Sequence, residues 1–363
     1  MTAPSAGDPR PLLSSPANRR RLAAGAALLV LLALLAARPA LAARPAPAAR
    51  PGPGFAVGIS PGAAPLSDPP AAVAQMMSGM AGAGDRWVRL DVPWAVIEPR
   101  PGVFAWPAED RAVGDALAQG LTVDALFGSA PMWAMTAGQP DPAKFAAFVS
   151  TVVRRYAGRG VNTYEMWNEE NLISYWDAPV DPATYGRLLR AGYRAVHRSD
   201  RHGFVVLGGL GRTSGTLPGV AVDPVAFLGA LYRAGFGRYF DAAAVHPYSY
   251  PDSPTSPAAG NALNSLAAIH SLMAAHGDGA KRIWVTEYGY PTGLQVVNGT
   301  APPTSPADQA TYLGAAIERV RAEPWAGPFF VFSWRDDQWQ SYGLLRADGT
   351  PKPALAVFER APH

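Results

Sequence analysis

Two glutamates stand in settings suited to chemistry. Glu169 sits in Trp167-Asn168-Glu169-Glu170-Asn171, just after the short apolar run 163–167. Glu287 sits in Thr286-Glu287-Tyr288-Gly289-Tyr290, just after the run 283–286. Other such runs end in Arg89 with Asp91 and Trp94, in Ser129-Ala130-Pro131-Met132-Trp133, in His246-Pro247-Tyr248 and in Ser333-Trp334-Arg335-Asp336-Asp337. Two carboxyl groups can divide the labour of breaking a glycosidic bond. One protonates the leaving oxygen and the other meets the positive charge that develops at the anomeric carbon. Trp and Tyr rings stack on the C–H faces of sugars, while Asn, His and Arg hold hydroxyls.

The elements that must bring these residues together are readable as an alternation. Apolar runs at 55–60, 87–92, 121–127, 163–167, 204–207, 242–245, 283–286 and 329–333 give eight candidate strands. Segments with helical spacing lie between them, for example Val149, Val152, Val153 and Tyr156 at i, i+3, i+4 and i+7. Asp141-Pro142, Asp181-Pro182, Asp223-Pro224 and Ser305-Pro306 read as helix starts, an N-cap followed by Pro at the first helical position. Apolar strands alternating with helices predict a parallel sheet covered by helices. Eight of them predict an α/β fold, a single (β/α)8 TIM barrel with its chemistry at the strand C-termini. A doubly wound open sheet is the alternative. No G-x-G-x-x-G follows the first strand and no G-x-x-x-x-G-K-[ST] occurs, which weighs against it.

The barrel is expected over 55–363, preceded by a targeting segment over 1–42 and a Pro/Ala-rich linker over 43–54. Asn18-Arg19-Arg20-Arg21 leads into an uncharged Leu/Ala run, then Ala40-Leu41-Ala42. That pattern reads as a secretory signal peptide, or as an anchor that stays in the membrane. The 363-residue chain carries 31 basic and 28 acidic residues, formally +3. The first fifty residues hold seven arginines and one acid, Asp8, so the rest is slightly acidic. No basic surface for nucleic acid is expected on it. The absence of cysteine excludes a disulfide framework, a thiolate nucleophile and a Cys-bound metal. No H-E-x-x-H or comparable spacing occurs, so no metal and no cofactor are expected. The expected product is an extracytoplasmic monomer whose partner is a poly- or oligosaccharide.

The motifs carry a family resemblance. Tyr164-Glu165-Met166-Trp167-Asn168-Glu169 and Trp284-Val285-Thr286-Glu287-Tyr288-Gly289 resemble the two catalytic strand ends of the retaining (β/α)8 glycoside hydrolase clan. Arg89-Leu90-Asp91-Val92-Pro93-Trp94, Ala130-Pro131-Met132-Trp133, His246-Pro247-Tyr248 and the tail from Tyr342 to Ala354 are similar in the same order. Families 39 and 5, including bacterial exopolysaccharide glycosidases, are the nearest in kind, over about residues 55–358. The resemblance implies Glu169 as acid/base and Glu287 as nucleophile. It implies Asn168 on the sugar 2-hydroxyl, and Arg89 with a hydroxyl near His246 and Tyr248 on the nucleophile. It also implies Trp334 under the cleaved sugar. Glu170 stands where many relatives have Pro, and is expected to add negative charge beside Glu169. By charge logic Arg89 keeps Glu287 ionised.

Each assignment has a plainer competitor. Glu165 is expected as an inward structural carboxylate. Glu98 and Glu109 are expected at the surface. Asp336 and Asp337 are either substrate ligands or solvated loop acids. Trp87, Trp284 and Trp325 are expected to pack. Trp94, Trp133, Trp176, Trp334 and Trp339 are expected to stack on sugar from the loops, with Tyr288 also at the substrate. Gly58-Ile59-Ser60-Pro61-Gly62 matches G-x-S-x-G, yet Pro61 has no N–H to give an oxyanion hole, so it reads as a strand-ending turn. Asn298-Gly299-Thr300 matches a glycosylation sequon. A transglycosylase and a non-catalytic polysaccharide-binding barrel are the rival functions. Two intact glutamates argue against the second.

Overall fold

The computed structural model describes residues 52–176, 178–293 and 303–363. The leader, most of the linker and the sequon lie outside the described residues. Eight parallel strands close into a barrel: β1 (Val57–Ile59), β2 (Trp87–Pro93), β3 (Thr122–Gly128), β4 (Thr163–Asn168), β5 (Phe204–Gly211), β6 (Ala243–His246), β7 (Ile283–Tyr288) and β8 (Ala326–Val331). Each strand pairs with its sequence neighbours, and β8 returns to β1 through Val57 opposite Phe329. The closed barrel disposes of the open-sheet alternative.

The main helices are α1 (Pro70–Gly82), α2 (Pro107–Ala118), α3 (Pro142–Tyr156), α4 (Pro182–Ser199), α5 (Pro224–Arg233), α6 (Leu266–Ala275), α7 (Pro306–Arg321) and α8 (Pro353–Phe358). Four begin where the sequence announces them. Asp141, Asp181 and Asp223 each accept hydrogen bonds from two first-turn N–H groups, and Ser305 accepts from Asp308. Pro supplies the fixed φ of the first helical position and loses nothing there, because that N–H has no intrahelical acceptor. Val149, Val152, Val153 and Tyr156 are all buried on the inner face of α3. Among the described residues no helix is long and apolar enough to cross a membrane.

The barrel interior has two layers. Towards the strand N-termini, Trp284 lies edge-on to Trp87 at 5.5 Å and stacks with Phe204 at 5.7 Å and Phe330 at 6.3 Å. Towards the C-termini the inward residues are polar: Arg89, Asp124 and Glu165, all at or below 1% exposure. Two expectations fail here. Glu98 and Glu109 are buried, not at the surface. Glu98 is drawn in by the Trp94 indole N–H and the Gly102 N–H, each 2.8 Å from a carboxylate oxygen. Glu109 sits in the first turn of α2 at 1% exposure with neither oxygen hydrogen-bonded. Burial pushes its carboxyl up to about 8, with the charges of Asp91 and Asp110 adding to the rise.

Candidate active site

Arg89 organises the mouth. From β2 it crosses the interior, giving Nε to Glu165 at 2.7 Å and Nη2 to the other Glu165 oxygen at 3.1 Å. The same guanidinium donates to Asn168 Oδ1 at 2.7 Å and to Glu287 Oε1 at 2.6 Å. Its planar fork can serve β4 and β7 together, which a lysine point charge cannot. Because Arg89 only donates, Asn168 turns its oxygen to Arg89 and keeps its NH2 for the pocket.

Two local departures from regular strand geometry deliver the glutamates. On β7, Val285 pairs with Phe329 but Tyr288 pairs with Val331, so one extra residue is accommodated between them. This bulge lets neighbours Thr286 and Glu287 both face the interior, where Thr286 donates to Glu165 at 3.2 Å and Glu287 receives Arg89. On β4, Trp167 and Glu169 have left-handed backbones, with φ of 93° and 47°. Non-glycine residues adopt such angles at a cost of about 1–3 kcal/mol each. The turn sends the Trp167 ring out against Trp176 and Phe145, and aims Asn168 and Glu169 at the mouth.

His246, at the end of β6, joins the two glutamates. Its Nδ1 is 2.9 Å from Glu169 Oε1 and 3.6 Å from Glu287 Oε2. The two oxygens are therefore separated by no more than the sum of those distances, about 6.5 Å. Nε2 is 3.0 Å from Thr286 Oγ1, whose proton is committed to Glu165. The Thr286 oxygen is left to accept, so Nε2 carries hydrogen and Nδ1 faces Glu169. Tyr248 donates to Glu287 Oε2 at 3.0 Å. Burial opposes the charge on Glu287, but His246, Arg89 and the Tyr248 hydroxyl outweigh it and hold the carboxyl below its usual range.

The glycines of β5 make room for this layer, a role the sequence analysis missed. A Cβ on Gly209 would stand 2.2 Å from the His246 ring and 2.6 Å from Thr286 Oγ1, and one on Gly211 would stand 2.7 Å from the Glu169 carboxyl carbon. Glycines inside a strand are the signal that could have found it.

A pocket of about 310 Å³ opens over this layer, lined among others by Asp91, Ser129, Asn168, Tyr175, Glu287 and Phe332. Several expected contacts are not there. Trp94 and Trp176 are fully buried, their indole N–H groups given to Glu98 and Gln139, so neither offers a ring face to sugar. Trp133 is half-buried and lines a separate depression with Glu98, Phe104 and Lys144. Tyr288 is buried, with its hydroxyl 2.8 Å from Ser249 Oγ. Trp334 is 6% exposed and packs over Gly79 of α1; Phe332, two residues earlier, lines the pocket instead. Trp339 is 78% exposed. Asp336 binds Lys352 at 2.7 Å and the Gly343 N–H, and Asp337 caps the Trp339 and Gln340 N–H groups; neither lines the pocket. Glu170 does not line the pocket. It turns towards Gly208 and Tyr185 and is buried, and burial pushes its carboxyl well above the usual range, which disfavours the charge expected beside Glu169. Among the described residues no group of three or more His, Asp or Glu side chains is placed to hold a metal ion.

Solved structures share this architecture. A family 39 glycoside hydrolase from Bacteroides cellulosilyticus aligns with a TM-score of 0.66 at 22% identity, over 84% of this chain and 62% of that one. A family 5, subfamily 18 enzyme from Streptomyces cattleya, bound to GlcNAc, aligns with 0.67 at 20% identity, over 85% and 79%. A family 39 enzyme from Xanthomonas axonopodis pv. citri gives 0.61 at 19%, over 86% and 66%. The chain has the (β/α)8 fold of these glycoside hydrolases. It spans less than two thirds of the length of the two family 39 enzymes. No protein-family model and no curated protein matches the chain.

Proposed function

We propose that the protein is a retaining β-glycoside hydrolase acting on a poly- or oligosaccharide outside the cytoplasm, secreted or held by its leader. The observation that carries this reading is the His246 bridge, which keeps the Glu169 and Glu287 oxygens within about 6.5 Å. Retaining enzymes hold their carboxyl groups about 5–5.5 Å apart; inverting ones leave about 6.5–9.5 Å for a water. Glu287, kept ionised by His246, Arg89 and Tyr248, attacks the anomeric carbon. Glu169 gives its proton to the departing glycosidic oxygen. A covalent glycosyl ester on Glu287 results, and the Glu287 charge is gone. Glu169 then takes a proton from water, which attacks the same carbon and frees Glu287. His246, 2.9 Å from Glu169 Oε1, holds that carboxyl in place through both steps. The reaction asks for no cofactor. Saccharide complexes of the Streptomyces cattleya relative, with GlcNAc and Manβ1-4GlcNAc, agree with a sugar-sized pocket at this mouth.

The test pairs a variant with stereochemistry. A panel of cell-envelope and plant polysaccharides supplies the substrate. Glu287→Gln removes the covalent step but keeps the shape, and turnover is expected to fall by about 10³-fold or more. Proton NMR of the first product from the parent enzyme should show the substrate's own anomeric configuration. An inverted first product, or full activity in the variant, overturns the reading.

A further inference from the structure

The charges on the pocket wall are unbalanced. Among its described lining residues Asp91 and Glu287 carry charge, and no Lys or Arg lines it. Arg89, the guanidinium beneath, is already engaged by Glu165, Glu287 and Asn168. Asp91 lies two residues beyond Arg89 on β2, so it shares the inward face one step nearer the mouth. It is half-buried, and among the described residues no hydrogen bond reaches its carboxylate. Burial pushes its carboxyl up to about 6, with Arg89 pulling against the rise and Glu287 and Glu165 adding to it.

We propose that Asp91 selects the glycosyl unit: its carboxylate takes hydrogen bonds from hydroxyls of a neutral sugar and turns away a uronic acid. This rests on the glycosidase reading of the same pocket. A hydroxyl-bearing ring offers donors to a half-buried carboxylate that receives no hydrogen bond among the described residues. A sugar carboxylate would meet two like charges in a partly water-free pocket with no free cation to answer it.

The test is calorimetric, on the full chain at pH 7. The probes are 1-deoxynojirimycin, its galacto and manno counterparts, and the deoxynojirimycin analogue with a carboxylate at C6. The wild type is expected to bind at least one neutral-substituent probe about tenfold or more tightly than the carboxylate analogue, a gap of about 1.4 kcal/mol. Asp91→Asn keeps the shape and removes the charge, and should shrink that ratio several-fold. Asp91→Ala should weaken the neutral probe as well. Equal or tighter binding of the carboxylate analogue by the wild type overturns the inference whatever the variants do. An unchanged ratio in Asp91→Asn overturns it too. If polysaccharide is cleaved but no probe binds, the inference falls and the glycosidase reading stands. If the probes are discriminated through Asp91 but nothing is cleaved, the reverse holds.

Discussion

The two ends of the barrel interior solve the same packing problem with opposite materials. Near the strand N-termini the space is filled by the Trp284 ring among Trp87, Phe204 and Phe330, with Val206, Ala242 and Ala244 around it. Near the C-termini it is filled by Arg89, Glu165, Asn168, Thr286 and His246, tied by hydrogen bonds from four strands. The apolar end gains from burial itself. The polar end gains only as long as each group keeps its partner, because a lone charge there is costly. Stability can be lost at either end, but the proposed chemistry only at one.

Arg89→Met should separate the ends most sharply. It strands Glu165 and Glu287 in a buried layer without their shared cation, and breaking such a pair costs about 3–5 kcal/mol. Denaturant unfolding would read that loss. Glu287 would keep the pull of His246 but lose that of Arg89, one of the groups that hold its carboxyl low. A depressed carboxyl pKa favours the ionised form, so losing the cation raises it, and the acidic limb of the activity profile should move to higher pH. A variant with parent-like stability and an unmoved limb would show that Arg89 does not organise the layer.

Trp284→Ala is the matching cut at the other end. Removing a fully buried Trp is expected to cost about 3–5 kcal/mol. None of the residues clustered with Trp284 lines the pocket, so kcat/KM below the new unfolding temperature should stay within a few-fold of the parent. A large fall in kcat/KM with a folded protein would mean that the two ends are mechanically coupled.

The sequence exposed what is set locally. Asp141-Pro142 and its three counterparts start helices because cap and fixed φ act within four residues. The strand ends of Glu169, His246 and Glu287 were legible from apolar runs and their neighbours. The bulge that turns Thr286 and Glu287 inward was not, because it exists only in the pairing of β7 with β8. Nor was the exchange of Trp334 for Phe332 at the pocket, which depends on which ring packs over Gly79. Gly209 and Gly211 look like weak strand formers until His246 and Glu169 occupy the space a Cβ would need. Glu109 looked like a solvated helix start, since a charged residue in a first turn usually faces water.

Glu109 extends the comparison to carboxyls that Arg89 does not reach. Its folded value is about 8 against the ordinary 4.5 of a free glutamate, the rise caused first by burial. The folded protein therefore keeps this proton between those values, while the unfolded chain has released it. More protons in the folded state mean that stability falls as pH rises. The loss is about 1.4 kcal/mol per pH unit for one such group, and it is complete above the folded value. Asp85, pushed up to about 7 by burial, adds to the lower part of the same slope and stays in any Glu109 variant. Glu109→Gln is uncharged at every pH, so its advantage over the parent should widen steadily from pH 5 to 8. Urea unfolding of both proteins across that range gives the difference directly. Parallel curves would mean that Glu109 is ionised in the fold and has found a partner, and its likeness to the unpaired Glu170 and Asp124 carboxyls would be lost.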